Sequence, residues 1–149
     1  MKPIKTLVLL ANDAHARLFE NHGPGKGLSE IEDLAASVLA EADIRYADRP
    51  GRSSAAPGMA QHAFADQAEA EHDQAQAVFV KAVLAETESR FAEGGFERFV
   101  LAAAPSTLGV LRAGLPARLE KALVVDVAKD FVKLKPAEVV ERLAGDIVL

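Results

Sequence analysis

Thr6-Leu-Val-Leu-Leu-Ala-Asn-Asp-Ala-His-Ala-Arg-Leu-Phe-Glu-Asn-His22 sets the architecture of this chain. The first six residues are an apolar run rich in strand formers, which reads as a strand buried on both faces. Asn12-Asp13 then supplies a two-residue connection with the composition of a tight hairpin, and beyond it Ala14, Ala16 and Leu18 alternate with His15, Arg17 and Phe19. The second strand, residues 14–22, is therefore expected to run antiparallel to the first. His22-Gly-Pro-Gly-Lys-Gly27 is a turn cluster. It lacks the Gly-x-x-x-x-Gly-Lys-Ser/Thr spacing of a phosphate loop and reads as a hairpin turn. Residues 28–34 continue either as a third strand or as a helix, since Leu28, Ile31, Leu34 and Val38 also recur at helical spacing. A short helix over 37–43 follows in both readings.

Working outward, residues 47–58 carry Pro, Gly, Ser and Arg with almost nothing to bury and are expected to form a long exposed loop. Residues 64–91 contain neither Gly nor Pro and are rich in Ala, Glu, Gln and Lys, which predicts one helix on the order of 40 Å long. Its apolar stripe, Ala75, Val78, Phe79, Ala82, Val83 and Phe91, occupies only the later half, so the first half should project beyond a sheet whose strands span roughly 20 Å. Gly94-Gly95 ends that helix, and Arg98-Phe-Val-Leu-Ala-Ala103 reads as another buried strand. Short helices should start at Pro105 and Pro116, a last strand should cover 123–127, and a last helix 136–144. A three-strand meander followed by two crossovers gives an α/β fold: a three-layer, mixed five-stranded sheet of order 3-2-1-4-5, strand 2 antiparallel, with helices on both faces. With 149 residues, a single domain over 1–149 is expected.

Half of the residues are apolar and 26% charged, a globular composition. The absence of cysteine excludes disulfides, thiolate metal sites and thiol nucleophiles. The apolar run at 6–11 is far short of the roughly 20 residues a membrane span needs, and no small-residue cleavage pattern follows it, so a cytoplasmic protein without membrane insertion is expected. A net charge of −5 opposes avid, non-specific binding to nucleic acid, which depends on many Lys and Arg contacts.

Four clusters carry candidate chemistry. In sheets of this kind ligands gather where the strand order reverses, here Asn12-Asp13 beside Ala104-Pro105-Ser106-Thr107. A hydroxyl cap and free N–H groups at that helix start would suit an anion held by Asn12, Ser106 and Thr107; an ordinary capped turn accounts for the same residues. Arg45-Tyr-Ala-Asp-Arg-Pro-Gly-Arg52 places Arg45, Arg49 and Arg52 with one aromatic ring in an exposed segment, suited to phosphate contacts and equally to a salt-bridged loop with Asp43 and Asp48. Glu69-Ala-Glu-His72 has the spacing of carboxylate di-metal sites, but the second such motif they require is missing, so it reads as a solvated helix face and no metal is expected. His15 and His22 have no triad-like partners in the sequence and read as structural or exposed.

Residues 7–20, Asp48-Arg-Pro-Gly-Arg-Ser53, Phe99-Val-Leu-Ala-Ala-Ala-Pro-Ser-Thr-Leu-Gly-Val-Leu-Arg112 and Ala128-Lys-Asp-Phe131 resemble the bacterial family named host-attachment proteins, across nearly the whole chain. That family is similar to the middle domain of archaeal and eukaryotic peptide-chain release factors. The resemblance implies the same meander-and-crossover sheet. In the release factors, the loop into the long helix carries Gly-Gly-Gln, whose glutamine helps hydrolyse peptidyl-tRNA. The corresponding stretch here is Pro57-Gly-Met-Ala-Gln-His62, which keeps Gly58 and Gln61 but lacks the paired glycines that let a backbone approach an ester closely. Gln61 is thus a weak catalytic candidate. The resemblance implies a non-catalytic or weakly catalytic module that touches RNA or a ribosomal surface through Arg45, Arg49, Arg52 and the Gln61 loop. Two other readings stand beside it: a protein-interaction factor for attachment to host cells, and a small hydrolase or nucleotide-binding enzyme at the edge formed by Asn12, Asp13 and Ser106. No cofactor is implied, and the sequence carries no signal for an oligomeric state.

Overall fold

The computed structural model describes residues 4–36 and 61–149, without the side chains of residues 61–69 and 72. Five strands, β1 (Thr6–Ala11), β2 (His15–Asn21), β3 (Ser29–Ala35), β4 (Arg98–Ala103) and β5 (Leu123–Val127), form one sheet in the order β3-β2-β1-β4-β5. β2 is antiparallel to β1 and to β3, while β4 is parallel to β1 and β5 parallel to β4. The expected mixed sheet, with β2 alone reversed, is the observed one. Four helices accompany it among the described residues: α1 (Gln61–Glu93), α2 (Pro105–Ala113), α3 (Ala117–Ala122) and α4 (Pro136–Leu143).

Every residue of β1 is buried, as expected of a central strand covered on both sides. Its odd-numbered residues Leu7, Leu9 and Ala11 join Leu18, Phe99 and Leu101 in one core, closed by Phe79, Val83, Leu108, Leu111 and Leu119 from α1, α2 and α3. Its even-numbered residues Val8 and Leu10 join Phe19, Val100 and Ala102 in a second core, closed by Phe131 and Val132 and by Val139 and Leu143 of α4. The period-two alternation of a strand thus assigns each side chain of β1 to one of two helical layers.

Several expectations are corrected in detail. The first hairpin is not closed by Asn12-Asp13. Ala11 pairs with Ala16, and the Asn12 N–H donates to the carbonyl of His15 (2.9 Å), so Asp13 and Ala14 form the tip. No described non-glycine residue has a positive φ, which excludes the mirror-image turns usual in two-residue hairpins. The Asn12 side chain supplies the turn instead: Oδ1 accepts from the N–H groups of Ala14 (2.9 Å) and His15 (2.8 Å).

Of the two readings for residues 28–34, the strand is correct. Register along β2 and β3 slips between Leu18 and Phe19, whose partners are Glu32 and Glu30. Ile31 is the extra residue of a bulge, so Ile31 and Leu34 reach the same core despite their helix-like spacing. The glycine turn before β3 is a turn: Gly23, Gly25 and Gly27 have φ of 133°, 79° and 74°, and Asn21, fully buried, donates from Nδ2 to the carbonyl of Gly27 (2.8 Å).

The long helix is longer than expected, 33 residues or about 50 Å. Its core-facing stripe is also displaced. Phe79, Val80, Val83, Leu84 and Phe91 are buried, whereas Val78 is 40% exposed and Ala75 lies in solvent. Polar Thr87 completes the stripe by donating its hydroxyl to the Val83 carbonyl (2.7 Å), which let a buried position look polar in the sequence. The expected helix at 37–43 and the expected loop at 47–58 lie outside the described residues.

Candidate functional site

The four mutually parallel strands β3, β1, β4 and β5 end on one edge of the sheet, and the connections that leave this carboxyl edge bring Asn12 and Asp13 beside the stretch that begins at Ala104. Asn12, Asp13 and Ala14 turn over it. Ala36, the first residue after β3, is held there by its N–H to the Ala14 carbonyl (2.8 Å). Ala104 follows β4 and donates its N–H to the Ala11 carbonyl (3.1 Å). α1 ends at the opposite edge, where Lys5 Nζ donates to the Gly94 carbonyl (2.8 Å) and the Lys5 carbonyl accepts from Glu97 N–H (2.9 Å). From Phe91 back to Phe79 the helix covers about 18 Å, the depth of the sheet, so the turns that begin at Gln61 extend past the carboxyl edge. That extension is the expected projection.

Asn12 and the start of α2 are neighbours, as expected, but the anion cradle is not built as foreseen. The N-cap of α2 is Ala104, with no side-chain cap bond; Pro105 occupies the first turn and Ser106 sits inside the helix, exposed. A hydroxyl caps a helix only from the non-helical residue before it, and Pro105 pushes that position back to an alanine. Thr107 is buried at 1% exposure and its hydroxyl has no partner among the described residues. The Asn12 carboxamide is committed: its oxygen serves the hairpin, and Nδ2 donates to Asp130 Oδ2 (3.1 Å) in the segment after β5. The second Asp130 oxygen accepts from the Val132 N–H (3.0 Å). A carboxylate therefore stands where an incoming anion would have to meet Asn12.

A crevice at a strand-order reversal also needs the two flanking connections to leave for opposite faces. β1 continues into a hairpin, while α1 and α2 cover the same face. Connections diverge one strand further on, where β4 leads to α2 on one face and β5 to α4 on the other.

Arg45, Arg49 and Arg52 lie outside the described residues. Gln61 is the first residue of α1, and nothing is described of its side chain. His15 of β2 pairs with Asp33, and His22, just past β2, has its Nε2 3.1 Å from Glu20 Oε1, so both histidines sit at the surface beside a carboxylate. Among the described residues no three His, Asp or Glu side chains come together as a metal site would need.

Sequence reading missed three polar anchors. Arg17 projects over the α4 face: its Nη1 donates to the carbonyls of Val132 (2.6 Å) and Leu134 (2.9 Å), and its Nη2 to Glu30 (2.6 Å). Arg90 Nε donates to Glu32 Oε2 on β3 (3.0 Å) and to Glu86 Oε1 one turn back (3.3 Å), fastening α1 to the sheet edge. Burial pushes the Glu32 carboxyl above its usual range, helped by the hydrogen bond and charge of Glu86 and opposed by Arg90. Arg90, in turn, is held more firmly in its charged form by Glu32. Arg112 of α2 meets Asp126 of β5 at 2.6 Å. Only the Glu86/Arg90 pair, four residues apart on one helix, had a signal in the sequence.

Among the described residues no helix is long and apolar enough to cross a membrane. No curated protein matches the chain. Among solved structures, an archaeal translation termination factor, aRF1, superposes with a TM-score of 0.59 over 97% of this chain at 18% identity. The match takes up 35% of that factor, so this chain spans about a third of its length, and at this identity the likeness is one of fold. A phosphatase of the Ppx/GppA type from Aquifex aeolicus gives a TM-score of 0.42 at 16% identity, over 83% of this chain and 35% of that one. The model of bacterial archaeo-eukaryotic release factor family 12 matches residues 5–143, from the residue before β1 to the last residue of α4. By that match the chain belongs to bacterial archaeo-eukaryotic release factor family 12.

Proposed function

We propose that this chain is a single-domain, cytoplasmic module resembling the middle domain of release factors, which associates with RNA or a ribosomal surface and has little or no hydrolytic activity of its own. Membership of a release-factor family over residues 5–143 is the observation that carries this reading. The topology adds to it: Ala36 and the turn at Asn12 lie at one edge of the sheet, and α1 extends past the same edge toward Gln61. In this reading Arg45, Arg49 and Arg52 contact phosphates, and Gln61 approaches the partner from the leading end of α1. The Met59-Ala60 pair ahead of Gln61 places two side chains where a close approach to an ester favours glycine, which argues for binding over catalysis.

Co-sedimentation with ribosomes at low salt tests the reading. The wild type should pellet with ribosomes and the Arg49→Ala/Arg52→Ala variant should lose most of that association. A wild type that stays in the supernatant ends the proposal.

A further inference from the structure

α1 presents a second surface that the release-factor reading does not use. Val80 and Leu84, each 4% exposed, form the floor of a groove of about 440 Å³ between α1 and the α2–α3 junction. Exposed Ala77 and Ala85 line one side and Val110 with Pro116 the other. The lining is almost wholly apolar, with Lys81 and Glu88 as its charged members. From Ala77 to Glu88 it follows α1 for three turns, about 16 Å.

The charge of α1 beyond this groove is one-sided. Residues 61–80 include Asp66, Glu69, Glu71 and Asp73 and no Lys or Arg. Glu71 and Asp73 are exposed and make no ion pair among the described residues; Asp73, four residues before Ala77, continues the groove-facing side of the helix. Val78 adds an exposed apolar side chain nearby.

An apolar trough three turns long accepts the i, i+3/i+4, i+7 anchors of an amphipathic helix, and acidic neighbours select one with basic flanks. The same carboxylates repel a phosphate backbone. We infer that the groove between α1 and the α2–α3 junction, with Glu71 and Asp73 of α1 beyond it, is a docking site for a basic amphipathic helix of a partner protein. Apolar anchors fill the trough over Val80 and Leu84, while lysines or arginines meet Glu71, Asp73 and Glu88. The groove's lining includes none of Arg45, Arg49 and Arg52, so each proposal can fail without the other.

Fluorescence anisotropy with a labelled amphipathic peptide, leucines at i, i+4 and i+7 flanked by lysines, tests the site at physiological salt. A second peptide with glutamates for the lysines and a single-stranded RNA homopolymer serve as comparison probes. The lysine peptide should bind the wild type, and the glutamate peptide at least about tenfold more weakly. Ala85→Trp fills the trough from an exposed position, Ala77→Trp does so independently, and Glu71→Lys/Asp73→Lys reverses the charge. Each variant should lose about tenfold in lysine-peptide affinity while keeping its far-UV circular dichroism. The inference is overturned if the lysine peptide does not bind, if the two peptides bind alike, or if both tryptophan variants bind as the wild type does. It is equally overturned if the RNA binds and the tryptophan substitutions abolish that binding. Ribosome co-sedimentation of the same variants reads the release-factor proposal separately, because all of them keep Arg49 and Arg52.

Discussion

Asn12 shows how a residue that looks poised for chemistry can be consumed by structure. Its oxygen closes the β1–β2 hairpin and its nitrogen ties that hairpin to Asp130, so the side chain spans 118 positions of sequence. Asn12→Ala should lower stability by about 1–3 kcal/mol through the summed loss of its hairpin and Asp130 hydrogen bonds, measured by urea unfolding. Asn12→Asp keeps the turn acceptor but sets a second carboxylate against Asp130, so its loss should shrink at low pH. Glu32 makes a different pH prediction. A carboxyl whose folded pKa lies above its unfolded value of 4.5 contributes most when protonated, and that contribution is lost as pH rises through the folded value. Removing the titration with Glu32→Gln should therefore make the variant gain on the wild type as pH rises out of the carboxylate range, in thermal melts over a pH series. A difference independent of pH would contradict the burial argument.

At the scale of elements, α1 is held by its end and its middle. The Gly94 N–H donates to the Arg90 carbonyl (2.9 Å), and Gly95 follows at φ 69°, the left-handed conformation that stops a helix. A Cβ on Gly95 meets nothing within 4 Å, so Gly95→Ala carries only the backbone cost of about 1 kcal/mol. A Cβ on Gly94 would lie 2.3 Å from the Phe96 ring and 3.0 Å from the Arg90 carbonyl. Phe96 stacks on Phe91 at 6.1 Å and carries Lys5 over its face at 4.6 Å, so it cannot yield freely. Gly94→Ala should cost about 1–3 kcal/mol more than Gly95→Ala in parallel melts. The paired glycines at the end of α1 were legible as a stop signal. That the first of them is required by an aromatic ring two residues later was not, because sequence spacing says nothing about where the Phe96 ring turns.

For the whole molecule, a net charge of −5 limits how a phosphate-rich partner can be bound. If Arg45, Arg49 and Arg52 supply the contacts, three neutralised phosphates predict an affinity loss of roughly 20- to 40-fold between 50 and 200 mM salt. Ribosome co-sedimentation over that range checks it, and an association indifferent to salt would point away from the arginines. In the proposed reading, the carboxylates that follow Gln61 in α1 work against the same phosphates, so the arginines would supply most of the attraction for RNA and the α1 groove would be left to a basic protein.

The sequence by itself determined the order of β2, β1, β4 and β5, the reversed β2 and the two helical layers, while residues 28–34 fitted a strand and a helix alike. Those follow from short-range quantities: the continuous apolar runs at 6–11 and 98–103, the alternation along β2 and the glycine and proline breaks. Tertiary structure alone decided the fate of the candidate site. Asn12, Arg17, Glu32 and Arg90 find partners 13 to 118 positions away, and a side chain's hydrogen bonds depend on which strands and turns are brought beside it. It also decided which side of α1 is buried, because the displaced stripe runs through Thr87, whose hydroxyl is satisfied within the helix, and past Val78, which no neighbouring element covers among the described residues. Hydrophobic pattern selects the layers of a fold; the pairing of its polar groups is settled only when distant segments meet.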